Sequence, residues 1–135
     1  MPDLDQARVL LRLAGRDLQT IDAMRDSEPF GDEAFGFHAQ QAVEKSLKAW
    51  LCLHGIEYPH THDLALLYEL LESAGARDLV QFDPLTDLSA FAVQFRYDIY
   101  DDEPLDRNGI GKQAARLVQH VDELLRRQTD ATQAR

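Results

Sequence analysis

Cysteine is nearly absent from this chain. Cys52 stands alone, so no internal disulfide can form and nothing in the covalent chemistry calls for an oxidising compartment. Long apolar runs are missing as well, and no stretch approaches the length that spans a bilayer. The first fifteen residues interleave Asp3, Asp5, Arg8 and Arg12 with their apolar positions, unlike the unbroken core of a signal peptide. The expectation is a cytoplasmic protein with no membrane segment. Positive charge is also scarce, with 24 acidic against 14 basic residues and a formal net charge of −10. A field of that sign repels nucleic acid unless cations gather on one surface, so DNA is not an expected partner and RNA is disfavoured. Two local gatherings exist, Arg8–Arg12–Arg16 and Lys45–Lys48, each also readable as a solvated helix surface.

Several site signatures are missing too. There is no glycine-rich phosphate loop, no serine-nucleophile motif and no cysteine–histidine pair in a recognisable setting. Gly109-Ile110-Gly111-Lys112 touches the phosphate-loop pattern but has no strand before it, and reads as a loop-to-helix boundary. His54, His60 and His62 cluster at spacings that match no zinc pattern, leaving a loop role for His60 and a capping role for His62. Asp98, Asp101, Asp102 and Glu103 could offer oxygen ligands, yet lack the glycine and spacing of a calcium loop. Neither a metal nor a cofactor is expected.

What is present is helical periodicity. At 135 residues, with 44% hydrophobic and 28% charged residues, the chain is sized for one domain with one core. Leu4, Ala7, Leu11, Ala14, Leu18 and Ile21 step by threes and fours along a first helix of about twenty residues. Gly15 either weakens it or marks a close crossing. Pro29 breaks the chain between Ser27 and Gly31. A second helix then runs from about Asp32 to His54, with Gly55 as a left-handed cap. Thr61 or Asp63 caps a third helix, which buries Leu64, Leu67, Leu70, Leu71 and Ala74 and closes at Gly75. The fourth is placed from Pro84 through Leu88, Phe91, Ala92 and Phe95, and the last after Asn108-Gly109, burying Ile110, Ala114, Leu117, Val121 and Leu124. These elements predict an all-α, five-helix up-and-down bundle over residues 1–135, with residues 128–135 as a frayed tail and Asp98–Asn108 as the one long loop.

The second helix has two faces. At about 100° per residue, Ala39, Val43, Leu47, Trp50 and Leu51 fall on a core arc, while His38, Gln41, Glu44, Lys45 and Lys48 share a polar outer arc with Phe37 and Cys52. That arc reads either as an exposed surface or as a seam against a second subunit or a nucleotide. The run Phe37-His38-Ala39-Gln40-Gln41-Ala42-Val43-Glu44-Lys45-Ser46-Leu47-Lys48-Ala49, the later Thr61-His62-Asp63-Leu64 and the Phe95-Arg96-Tyr97 segment together resemble the HEPN domains. These are small helical proteins often encoded beside minimal nucleotidyltransferases. The resemblance implies an HEPN-like bundle, a homodimer, a minimal nucleotidyltransferase as partner and a nucleotide as the small ligand. The residues it marks for ligand or interface are His38, Gln41, Glu44, Lys45, Lys48, Arg96 and Tyr97.

Arg96 projects onto the apolar side of the fourth helix, in line with Leu85, Leu88 and Ala92. A guanidinium there needs partners, either the nearby carboxylates or an anionic ligand in a cleft. Ribonucleases of the resembling family carry such an arginine and, after four to six intervening residues, a histidine. Here those three positions are Asp101, Asp102 and Glu103, which are ionised near neutral pH and cannot readily supply a proton. The expectation is therefore a binding or regulatory protein without catalytic residues. The alternatives are an RNA-cleaving toxin, in which Arg96 and His38 would act and His38 or His120 would stand in for the missing imidazole, and a purely structural dimer.

Overall fold

The structure, a computed structural model, describes residues 1–26, 31–92 and 105–134. Four α-helices, α1 (Leu4–Met24), α2 (Asp32–Leu53), α3 (Leu64–Ser73) and α4 (Arg107–Gln133), are joined by a 3-10 helix at Val80–Phe91 between α3 and α4. Among the described residues there is no strand. The all-α class and the five helical segments agree with the expectation.

Capping chemistry sets most of the boundaries. Asp3 caps α1 by accepting from the Gln6 amide at 3.0 Å. Asp63, rather than Thr61, caps α3 through the Ala65 and Leu66 amides, while Thr61 Oγ1 accepts from the Asp63 amide. Both predicted glycine stops are left-handed, Gly55 at φ +72° and Gly75 at φ +76°. Each closes a paired motif: Ile56 N donates to Leu51 O and Gly55 N to Cys52 O, and Ala76 N donates to Leu71 O and Gly75 N to Glu72 O.

Three boundaries differ from the sequence reading. The fourth segment begins at Val80, not Pro84, and coils as a 3-10 helix with Pro84 inside it. Leu79, Phe82, Leu85, Leu88 and Phe91 recur every third residue. That spacing matches three residues per turn, with side chains at i and i+3 stacked on one edge. Asp106 accepts from the Gly109 amide, so α4 starts at Arg107 and absorbs Asn108-Gly109 in its first turn. At its far end α4 continues through the stretch expected to fray, as far as Gln133. Gln128 Nε2 donates to Leu53 O there, and Arg8 reaches Thr129 Oγ1.

α2 packs against α1, α3, the 3-10 helix and α4. Enclosed in this way, every residue from Ser46 to Leu53 is buried. Trp50 lies in the core as expected. Cys52, placed on the outer arc, is buried instead, and Leu125 rather than Leu124 takes the last core position of α4. Burial, followed by the nearby Asp3 charge, pushes the Cys52 thiol up to about 11. Gly36 lets the Phe91 ring lie on the backbone of α2, where any Cβ would collide with it.

Candidate functional site

The polar side chains of α2 turn inward. Gln40, Glu44 and Lys48, spaced by four residues, form a row in which each is at most 9% exposed, correcting the outer-arc placement of Glu44 and Lys48. The cause is topological: with neighbours on every side, α2 has too little solvent-facing surface for its polar residues. They meet their needs inside. Glu44 Oε2 accepts from Lys48 Nζ at 3.0 Å, and Glu44 Oε1 accepts from Gln40 Nε2 at 3.0 Å and from His62 Nδ1 at 2.8 Å. Gln40 Nε2 also donates to His62 O, and Gln41 Nε2 donates to Gln40 Oε1 at 2.7 Å. Burial alone would raise the Glu44 carboxyl, but hydrogen bonds from Gln40, His62 and Lys48, together with the Lys48 charge, outweigh it and hold it below the usual carboxylate range. Glu44 therefore stays ionised near neutral pH.

This hub reaches across elements. Lys48 Nζ lies 5.3 Å from the Tyr58 ring centroid, and the Tyr58 hydroxyl accepts from Gln6 Nε2 of α1. His62 immediately precedes the α3 cap Asp63, so the hub pins the start of α3 to α2. Its side chain, expected to cap, instead bonds Glu44 and is 65% exposed, the part of the hub that meets solvent.

A second cluster joins α1 to α2. Asp17 is buried and accepts from Lys45 Nζ at 2.6 Å, with His38 Nδ1 at 3.4 Å from its other oxygen. Sequence reasoning passed over Asp17. The available signal was its position, since with Ala7, Leu10, Ala14, Ile21 and Met24 it continues the three–four stripe of the core, where a lone acid demands a cation. Gln40, which sits within the motif run, is a further residue that the sequence reading misses. A third cluster ties three helix ends together: Arg107 bonds Asp32 Oδ1 and Met24 O and lies over the Phe35 ring, and the Leu105 amide donates to Asp32 Oδ2.

The expected site residues thus divide. His38 and Lys45 meet at Asp17, whereas Gln41, Glu44 and Lys48 meet at the hub. Arg96, Tyr97 and the acids at 98 and 101–103 lie outside the described residues. His120, a candidate stand-in for the missing imidazole, packs between Trp50 and Phe82 with its ring tilted to both, the centroids 5.0 and 5.6 Å away. The three histidines His38, His62 and His120 therefore sit on separate partners: Asp17, Glu44 and the Trp50–Phe82 ring pair. Among the described residues no group of three or more His, Cys, Asp or Glu side chains could hold a metal ion, and no helix is long and apolar enough to cross a membrane.

No curated protein and no solved structure matches the chain at a significant level. A family model described as HEPN domain matches residues 7–130, a span that takes in α2 with both of its ionic clusters and most of α1 and α4. The chain belongs to the HEPN domain family.

Proposed function

We propose that this HEPN domain is a non-catalytic binding and regulatory module, a homodimer that acts on a separate minimal nucleotidyltransferase and takes a nucleotide as its small ligand. One observation carries the non-catalytic part. The two buried carboxylates are engaged within the fold, Glu44 of α2 with Gln40, Lys48 and His62, and Asp17 of α1 with Lys45 and His38. An ionised carboxylate holding an ammonium and an imidazole in place stiffens a scaffold. That engagement leaves neither carboxylate free to exchange a proton with a substrate. The acids that follow Arg96 where a ribonuclease keeps an imidazole support the same reading, as does a net charge that opposes RNA phosphate.

Arg96 and Tyr97 belong to the proposed contact with ligand or partner, on the resemblance of that segment. The test combines purified protein, RNA and the Arg96→Ala variant. The expected result is intact RNA with both proteins, a solution mass of twice 15.4 kDa, and co-elution with a co-expressed minimal nucleotidyltransferase that weakens in Arg96→Ala. Cleavage by the wild type that disappears in Arg96→Ala would overturn the reading in favour of a nuclease. A mass that stays monomeric at high concentration would remove the dimer.

A further inference from the structure

We propose that the outer edge of α1 is the surface on which a second copy of this chain docks, the two α1 helices lying antiparallel about a two-fold axis at Gly15. Two cavities of about 480 and 270 Å³ lie end to end between α1 and α4 and share Leu18 and Ala115, so they form one continuous groove. Its floor is apolar, made by Leu11, Leu18, Ala115, Val118 and Leu125, and Leu18 and Val118 are only partly buried by their own chain. Charge sits at the ends, Arg8 at one and Asp22 with Arg25 at the other.

The order of the charges identifies the occupant. Arg8, Gly15 and Asp22 follow one another at seven-residue steps and, at about 100° per residue, fall within an arc of roughly 40° beside the groove. Gly15 lies midway, about 10 Å along the axis from each charge. A Cβ added there would meet nothing within 4 Å, so no part of the chain covers the centre of this stripe. A two-fold axis through that point exchanges the two ends, setting Arg8 of each copy against Asp22 of the other. Each charge already has a neighbour on its own helix, Asp5 for Arg8 and Arg25 for Asp22, in pairs whose carboxylate side chains are 98% and 70% exposed. Docking joins the two pairs into a row, Asp5–Arg8–Asp22–Arg25, that alternates in sign, and both the guanidinium and the carboxylate have sites left for the added bond. The same axis brings Leu11 of one copy beside Leu18 of the other on the α4 side of the stripe. On the opposite side it brings Arg12 beside Gln19, both exposed. Apolar side chains meet apolar ones, and each cation meets an acid or a neutral acceptor. A parallel pairing would instead set Arg8 on Arg8. This inference rests on the homodimer proposed above and goes beyond it by fixing the face and the register.

Sedimentation equilibrium at constant ionic strength is run on the full chain, on Arg8→Asp, on Asp22→Arg and on an equimolar mixture of the two variants. An acid near the N-terminus of α1 and a base near its C-terminus suit the helix dipole, so both variants should keep the circular dichroism of the wild type. Self-association of each should weaken about tenfold or more, because like charges then face each other at both ends of the stripe. The mixture should recover the affinity of the wild type. One variant then supplies acids at positions 8 and 22 and the other supplies bases, so both ion pairs form again across the axis. Variants that dimerise as tightly as the wild type, or a mixture no tighter than either variant alone, overturn this interface while leaving dimerisation through another face in place. A wild type that stays monomeric at high concentration removes the homodimer itself, and this face with it.

Discussion

Glu44 holds three donors while 5% exposed, so removing its charge exposes the cost of what it neutralises. Glu44→Gln leaves the Lys48 ammonium buried without a counterion, and a loss of about 3–5 kcal/mol is expected in urea unfolding. His62→Ala removes an exposed partner and should cost no more than about 1 kcal/mol. Replacing Glu44 and Lys48 together with Leu and Met should cost less than Glu44→Gln alone, because no unpaired charge remains. The pH dependence has a fixed sign. The folded-state carboxyl titrates below its unfolded value, so its contribution is complete above about pH 4.3 and is lost as pH falls through the folded value. Stability of Glu44→Gln should therefore fall less steeply on acidification, measured as melting temperature between neutral pH and about pH 3. These residues also show what a helical wheel can and cannot give. It picks out Glu44 and Lys48 as polar neighbours but places them outside, because residue spacing says which side chains share a face and not whether that face is covered.

Element boundaries followed from local chemistry wherever a cap was spelled out. Gly55 and Gly75 needed only their own left-handed backbone and the two hydrogen bonds each closes. The two caps should respond differently to alanine. Gly75 has open space where a Cβ would go, so Gly75→Ala pays backbone strain alone, about 1 kcal/mol. At Gly55 the Cβ would also press on the Met1 backbone at 3.1–3.3 Å, so Gly55→Ala should cost more. Gly15 is the opposite case. It sits mid-helix with no neighbouring atom in reach of an added Cβ, which settles the choice between weak point and close crossing, and Gly15→Ala should stabilise by about 0.8–1 kcal/mol. Thermal and urea unfolding of the three variants checks all of this. The 3-10 segment departs from the sequence reading because Pro84 carries the mark of a first-turn proline, whereas the spacing that sets this coil is the three-residue repeat from Leu79 to Phe91.

At the scale of the whole molecule, 24 acids and 14 bases put a net charge of −10 on one small domain. Self-repulsion of that size is screened by salt, whereas the short buried pairs at Glu44 and Asp17 are screened much less. Melting temperature should therefore rise by a few degrees between about 10 mM and 200 mM sodium chloride, where the Debye length shortens from roughly 30 Å to below 10 Å. A fall would mean that favourable surface pairs such as Arg126–Asp122 and Arg127–Glu123 outweigh the net charge.

The amino-acid order by itself determined the helical class, the α2 and α3 stops and the family motifs, because periodicity, caps and motifs are properties of residues near one another along the chain. Tertiary structure alone decided that α2 is the central helix and that its polar row faces protein. It also decided that Asp17 answers Lys45 and His38, that His62 bonds Glu44 instead of capping α3, and that His120 joins Trp50 and Phe82. Each of those outcomes pairs residues distant in sequence, and the desolvation that forces a buried charge to find its partner exists only once the helices have closed around it.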